Sequence, residues 1–270
     1  MYESFYGLKE KPFSIQPDPD FLYFGRRHSL AYAMLEFGVQ NGAGFSVISG
    51  EIGCGKTTLI RHLLNQLGRN IVVGLVNNTS PDIADLLEWI MMAFGLPYEG
   101  KSKVALYDAF QRYLIEQYGA GKTVLLIVDE AQNLSTGALE SLRMLSNINA
   151  DKHQLLQIIL VGQPQLRDLL KRPELKQLAQ RVAVDFHITP LSIVEVQSYI
   201  EHRLKTAGRE TPLFTSAACA MIATASQGIP RSINILCDNA LVYGFSDEAE
   251  RIDLALVKDV LNDKSEFGAL

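Results

Sequence analysis

The chain is 270 residues long with 25 Lys and Arg against 30 Asp and Glu, a formal charge of −5. At this length roughly 75% of the unfolded surface can be buried, enough for a large core and two domains; with a mean hydropathy of +0.07, no run reaches the ~18 apolar residues of a membrane span and no signal peptide is present, so a cytoplasmic protein is expected. The acidic balance argues against a whole-surface nucleic-acid binder while leaving room for a local basic stripe. Cys54, Cys219 and Cys237 are odd in number and lack metal-ligand spacing, which points to unpaired thiols in a reduced compartment.

The segment Pro17 to Gly25 reads as an aromatic-rich extended lead-in, in which Tyr23 or Phe24 either walls an adenine pocket or packs into the core. A short β-rich run, Phe45 to Ser49, then enters the loop Gly50-Glu51-Ile52-Gly53-Cys54-Gly55-Lys56-Thr57-Thr58, and Thr58 to Leu67 leaves it as a helix with Leu59, Leu63 and Leu67 on one face. This is a phosphate-binding P-loop. Its backbone N–H groups converge on an anion, the helix N-terminus behind them is partly positive, and Lys56 adds a full charge for the β- and γ-phosphates. Thr57 supplies a hydroxyl for Mg²⁺. Cys54, among these amides and beside Lys56, is read either as a thiol with a favoured thiolate or as a small residue that fits a tight loop.

Beyond the loop, Asn70 to Val76 reads as a buried strand. Ser80 and Pro81 open a helix whose stripe runs Ile83, Leu86, Leu87, Ile90, Met91 and Phe94, with Gly95 as the stop. A helix over about Ser102 to Tyr118 precedes the apolar run Val124 to Val128, which delivers Asp129 to the metal shell and Glu130 as the base for an attacking water. Ser135 caps the next helix; Leu155 to Val161 and Val182 to Ile188 are further strands. Strands alternating with helices, mostly apolar on both faces, specify a parallel sheet sandwiched by helices. From Leu191 the pattern is helical only, over about 192–207, 215–226, 230–243 and 252–262, which sets a division into 1–190 (α/β, nucleotide-binding) and 191–270 (a small all-α lid).

Gln163 follows the 155–161 strand, placed to hold the lytic water or γ-phosphate, or else to face solvent. Arg181 precedes the last strand, where a neighbouring subunit's nucleotide would lie in a ring, and Arg172 is its rival. Arg231, opening a helix after Gly228-Ile229-Pro230, is placed to reach the γ-phosphate and couple nucleotide state to domain angle.

The chain resembles the AAA+ ATPases, and among them the ExeA/GspA-type secretion ATPases, with the branch encoded at exosortase (PEP-CTERM) and exopolysaccharide loci the most similar. The resemblance rests on Phe5-Tyr6-Gly7-Leu8, Lys11-Pro12-Phe13, Pro17-Asp18-Pro19, Val128-Asp129-Glu130-Ala131-Gln132-Asn133-Leu134, Leu142-Arg143-Met144-Leu145, Val161-Gly162-Gln163-Pro164, Gln180-Arg181-Val182 and Gly228-Ile229-Pro230-Arg231, and it covers essentially the whole chain. It implies a P-loop NTPase fold, ATP and Mg²⁺ as ligands, Arg181 as arginine finger, Arg231 as second sensor, and a homo-oligomeric ring or filament. It also implies a switch or motor in envelope secretion or polysaccharide export, with secretion or export proteins as partners and a cytoplasmic place, free or peripheral at the inner membrane. ExeA-type chains continue into a membrane span and a periplasmic portion; this sequence ends at Leu270, and Leu236 to Gly244 with Arg251-Ile252-Asp253 resemble the short branch, so a natural short form is expected. Related transposition regulators of the TniB/TnsC/MuB kind supply the alternative, a DNA-bound ATPase using Arg167, Lys171, Arg172, Lys176 and Arg181. A P-loop kinase is disfavoured, because Glu130 suits water activation and no acceptor-binding segment is evident.

Overall fold

The computed structural model describes residues 1–77, 86–150 and 153–267. In chain order they form α1 (Arg26–Gln40), β1 (Phe45–Gly50), α2 (Lys56–Gln66), β2 (Ile71–Val76), α3 (Leu86–Ala93), α4 (Lys103–Gly119), β3 (Thr123–Val128), α5 (Thr136–Leu145), β4 (Asn149–Ala150), β5 (His153–Gln154), β6 (Leu156–Gly162), α6 (Pro164–Leu170), α7 (Lys176–Ala179), β7 (Val182–Ile188), α8 (Ile193–Thr206), α9 (Ser216–Ser226), α10 (Pro230–Ser246) and α11 (Leu254–Phe267). Ser135 and Ser102 cap α5 and α4 through their side chains, and Gly95 takes the left-handed conformation (φ 67°) that ends α3. The expected start of α3 at Ser80 and Pro81, with Ile83, lies outside the described residues.

The chain divides into two compact units. One comprises Leu30–Gly50 and Leu63–Ile188 and holds a five-stranded parallel sheet of order β2-β3-β6-β1-β7. The three inner strands are apolar and buried almost throughout, as a sheet covered on both faces requires. Val124, Leu126 and Val128 face a cluster with Leu106, Phe110 and Leu114 of α4, Ile90 and Met91 of α3, and Leu139 and Leu142 of α5. Against the opposite face lies α1, which approaches closely at Gly38: a Cβ there would come within 2.9 Å of Ser46 Oγ and 3.2 Å of Val184 Cγ2. The helix α1, absent from the expected elements, thus helps to cover this face of the sheet. The strand β2, expected to be buried, is only partly so because it forms one edge of the sheet.

The second unit comprises Met1–Ser29, Glu51–His62 and Thr189–Leu270. Its core joins α8 to α11 to the N-terminal aromatics Tyr2, Tyr6, Phe13 and Phe21. Arg203, buried in α8, ties that segment down: Nε donates to the Pro12 carbonyl (2.6 Å), Nη2 to the Ser14 carbonyl (3.2 Å), and its guanidinium lies 4.6 Å from the Phe21 ring centroid. Asn234 of α10 donates to the same Ser14 carbonyl at 3.0 Å. One division between the units falls at residue 189, and the N-terminal segment and the P-loop group with the helical unit. Apolar side chains of residues 1–21 have their partners on α8 to α11, and no local pattern reveals which core an extended segment will join.

Candidate nucleotide-binding site

In the sheet unit, the register aligns the carboxyl ends of the inner strands. Ser49 pairs with Gly162 and Val128 with Leu160, so Gly50, Asp129-Glu130 and Gln163 emerge along one sheet edge. The strand β6 lies between β3 and β1, as the expected role of Gln163 requires. In open parallel sheets, ligands bind beyond this edge. Gly50 is needed where β1 meets β7, because a Cβ there would stand 2.7 Å from the Ile188 carbonyl oxygen.

Asp129 and Glu130 form a compact polar turn. The Asp129 carboxylate accepts the Glu130 N–H at 2.9 Å. Glu130 has left-handed backbone (φ 52°, ψ 35°), and its Oε2 accepts from Gln132 Nε2 at 2.6 Å and Gln163 Nε2 at 3.2 Å. Gln163 therefore meets Glu130 directly, by the geometry of adjacent strand ends. Gln132 stood inside the recognised run but without an assigned role; only the left-handed turn brings a side chain two positions on back to the carboxylate.

In the helical unit, the P-loop folds over Gly53 and Gly55, both left-handed (φ 82° and 88°), conformations that disfavour a side chain. A Cβ on Gly53 would stand 2.6 Å from Arg231 Cβ, and one on Gly55 would stand 3.3 Å from His28 Nε2. Lys56, first residue of α2 and largely buried, donates from Nζ to the Glu51 carbonyl across the loop at 3.0 Å. Left-handed backbone at glycines, a buried ammonium and a helix N-terminus form a cradle that fits a phosphate chain. Thr57 offers an oxygen donor of the kind that suits Mg²⁺ shared with substrate phosphates, and so, in the sheet unit, does Asp129. Among the described residues no group of three or more His, Cys, Asp or Glu could hold a metal by itself.

Two further residues fasten the loop. Arg231 donates its backbone N–H to the Gly53 carbonyl at 3.2 Å, which sets the N-terminus of α10 against the loop. Its partner turn needs Gly228, left-handed at φ 71° and facing the Leu191 carbonyl too closely for any Cβ. His28 is buried, with Nε2 2.8 Å from the Cys54 carbonyl oxygen, and burial holds the imidazole below its usual pKa. The neutral ring donates from Nε2.

Other candidates are placed differently. Cys54 is fully buried, and burial pushes its thiol up to about 11 against the smaller opposing effect of Lys56. Of the two readings of Cys54, the favoured thiolate is set aside, because desolvation outweighs the nearby charge. Phe24 packs edge-on against His62 of α2, ring centroids 5.0 Å apart, whereas Tyr23 turns to Tyr199 of α8 at 5.9 Å. Arg181 is half-buried and donates to Ser146 Oγ at 3.0 Å; Arg172 is exposed. Because Phe45 pairs with Val182, Arg181 lies at the amino edge of the sheet. The length of β1 separates that edge from Gly50, about 20 Å at strand rise.

Residues 39–170 match a family model described as an AAA domain. Over 253 residues, 93% of its length, the chain is 43% identical to the General secretion pathway protein A of Aeromonas hydrophila. It covers 46% of that relative, about half its length. Among solved structures, the fold is similar to Aeropyrum pernix ORC2 in its ADPNP-ADP complexes, with a TM-score of 0.67 and 18% identity over 94% of this chain and 75% of that one. Drosophila ORC bound to DNA gives a TM-score of 0.67 and 17% identity over 97% and 65%. A Thermotoga maritima RuvB variant gives 0.57 and 18% over 92% and 72%. At such identities the likeness to these structures is one of fold alone.

Proposed function

Because the chain belongs to the AAA ATPases of the ExeA/GspA type, we propose that it binds and hydrolyses ATP as a switch or motor for export across the cell envelope. The branch associated with exopolysaccharide loci is the one its sequence resembles most. Lys56 and the amides of Gly50 to Thr58 hold the β- and γ-phosphates, and Thr57 with Asp129 holds Mg²⁺, which supplies charge neutralisation at the phosphates. Glu130 takes the proton of the attacking water, with Gln163 beside it. Arg231 acts as second sensor, Phe24 is the better candidate of the two aromatics for the base, and Arg181 serves a neighbouring copy in a ring or filament. The place in the cell is cytoplasmic, free or peripheral at the inner membrane; among the described residues no helix is long and apolar enough to cross a membrane.

The observation that carries hydrolysis, rather than binding alone, is the Glu130 carboxylate held by the strand-end amide of Gln163 at 3.2 Å. Turnover of Mg-ATP tests it. Lys56→Ala is expected to impair ATP binding, whereas Glu130→Gln retains binding and loses turnover, because Lys56 contacts the ground state and Glu130 acts on water. Wild-type turnover by Glu130→Gln would overturn the assignment of the base.

The rival reading, a DNA-bound regulator of transposition, draws on the basic run 167–181. Three of its five cations are already engaged: Arg167 with Asp185 at 3.0 Å, Lys171 with Asp168 at 3.2 Å, and Arg181 with Ser146. ATP-dependent, salt-sensitive binding of labelled duplex DNA at two salt concentrations would favour it over export.

A further inference from the structure

Three hydrogen bonds close a ring at the end of β3. Gln132 Nε2 donates to Glu130 Oε2 at 2.6 Å, Gln163 Nε2 donates to the same oxygen at 3.2 Å, and the Gln163 N–H donates to Gln132 Oε1 at 3.0 Å. A glutamate side chain on a strand end has three free torsions, and the neighbouring left-handed backbone is one that glutamate rarely adopts. The ring restrains both. It also has room made for it: a Cβ on Gly162 would stand 2.7 Å from Gln132 Oε1, so the residue between Val161 and Gln163 leaves the space the amide occupies. Gln132 is the member that joins the other two, as donor to the carboxylate and acceptor from the neighbouring strand end.

We infer that Gln132 is a positioning residue, whose amide orients the Glu130 carboxylate to take a proton from the attacking water and locks that orientation to β6 through Gln163. The inference rests on Glu130 being the base proposed above. A merely structural Gln132 would cap the turn and affect stability; a positioning Gln132 affects the chemical step and leaves nucleotide binding alone.

The test uses the full chain with Mg-ATP. Gln132→Met fills a similar volume without a donor or acceptor. It is expected to lower kcat by about 10–100-fold, the range for losing a hydrogen bond to a charged group, with KM and ATP affinity within about twofold of wild type. Gln132→Glu keeps the acceptor for the Gln163 N–H but sets a second carboxylate against Glu130, and should lose at least as much. The residual turnover of Glu130→Gln, read by release of labelled phosphate, should not fall further when Gln132→Met is added, since residues acting as a unit are non-additive. Wild-type kcat in both Gln132 variants, or an equal loss with and without Glu130, would overturn the positioning role while leaving the base intact. Wild-type turnover by Glu130→Gln would overturn the base assignment, and this role with it.

Discussion

Replacing Gly53 by Ala probes the contact between the P-loop and the start of α10. The new methyl would stand 2.6 Å from Arg231 Cβ, 3.2 Å from Ile229 Cγ2 and 3.4 Å from Arg231 Cδ. The nearest atom is the root of a side chain on a helix, so rotation of a flexible end cannot relieve the clash; loop or helix has to move, and the bond from the Arg231 N–H to the Gly53 carbonyl is strained with it. The left-handed backbone at φ 82° adds its own cost. Left-handed strain of about 1–2 kcal/mol and overpacking of about 1–3 kcal/mol sum to roughly 2–5 kcal/mol. At roughly 2–4 °C per kcal/mol for a domain of this size, the Tm should fall by about 4–20 °C. Gly7→Ala is the control in the same unit: φ is 66°, with nothing within 4 Å of the added Cβ, so only the backbone cost applies. Thermal unfolding of both variants, with calorimetric titration of ATP into each at a temperature where it is folded, separates the two contributions. Gly53→Ala should be clearly less stable than Gly7→Ala and bind ATP more weakly. Equal stability, with wild-type affinity in both, would refute the argument that the loop and α10 are packed against one another.

Arg181 lies at the amino edge of its own sheet, so mixing Arg181→Ala with Lys56→Ala should restore part of the ATP turnover, because some interfaces then pair an intact loop with an intact arginine; turnover independent of protein concentration and unrecovered on mixing would count against action in trans. All three cysteines are buried, and Cys54 and Cys219 are each pushed up to about 11 by burial. The thiolate is therefore scarce at neutral pH and grows only as the pH nears 11, so maleimide at pH 7.5 should label none of the three in the folded chain and all three in denaturant. Rapid native labelling that ATP blocks would show that Cys54 is reactive after all.

The chemistry of the loop and of Asp129-Glu130 was legible in the sequence because each is a contiguous motif whose spacing follows from the backbone around an anion and at a strand end. The inner strands and the helices α8 to α11 were legible for a related reason: their apolar residues recur at the period of the element they form. Helix α1 was not, since its buried positions Ala31, Leu35 and Val39 are blurred by the exposed Leu30 and Phe37. Strand order, which puts β6 between β3 and β1, is a choice among crossovers that no strand's own residues record, and the meeting of Gln132, Gln163 and Glu130 depends on it. Which of the two readings of Cys54 holds was not legible either, because a thiol's ionisation depends on how completely neighbours remove it from water, and a neighbouring Lys56 in the sequence says nothing of that burial. Periodicity and motif are local properties of the chain; desolvation, strand order and the choice of core by an extended segment arise only when distant residues compete for the same space.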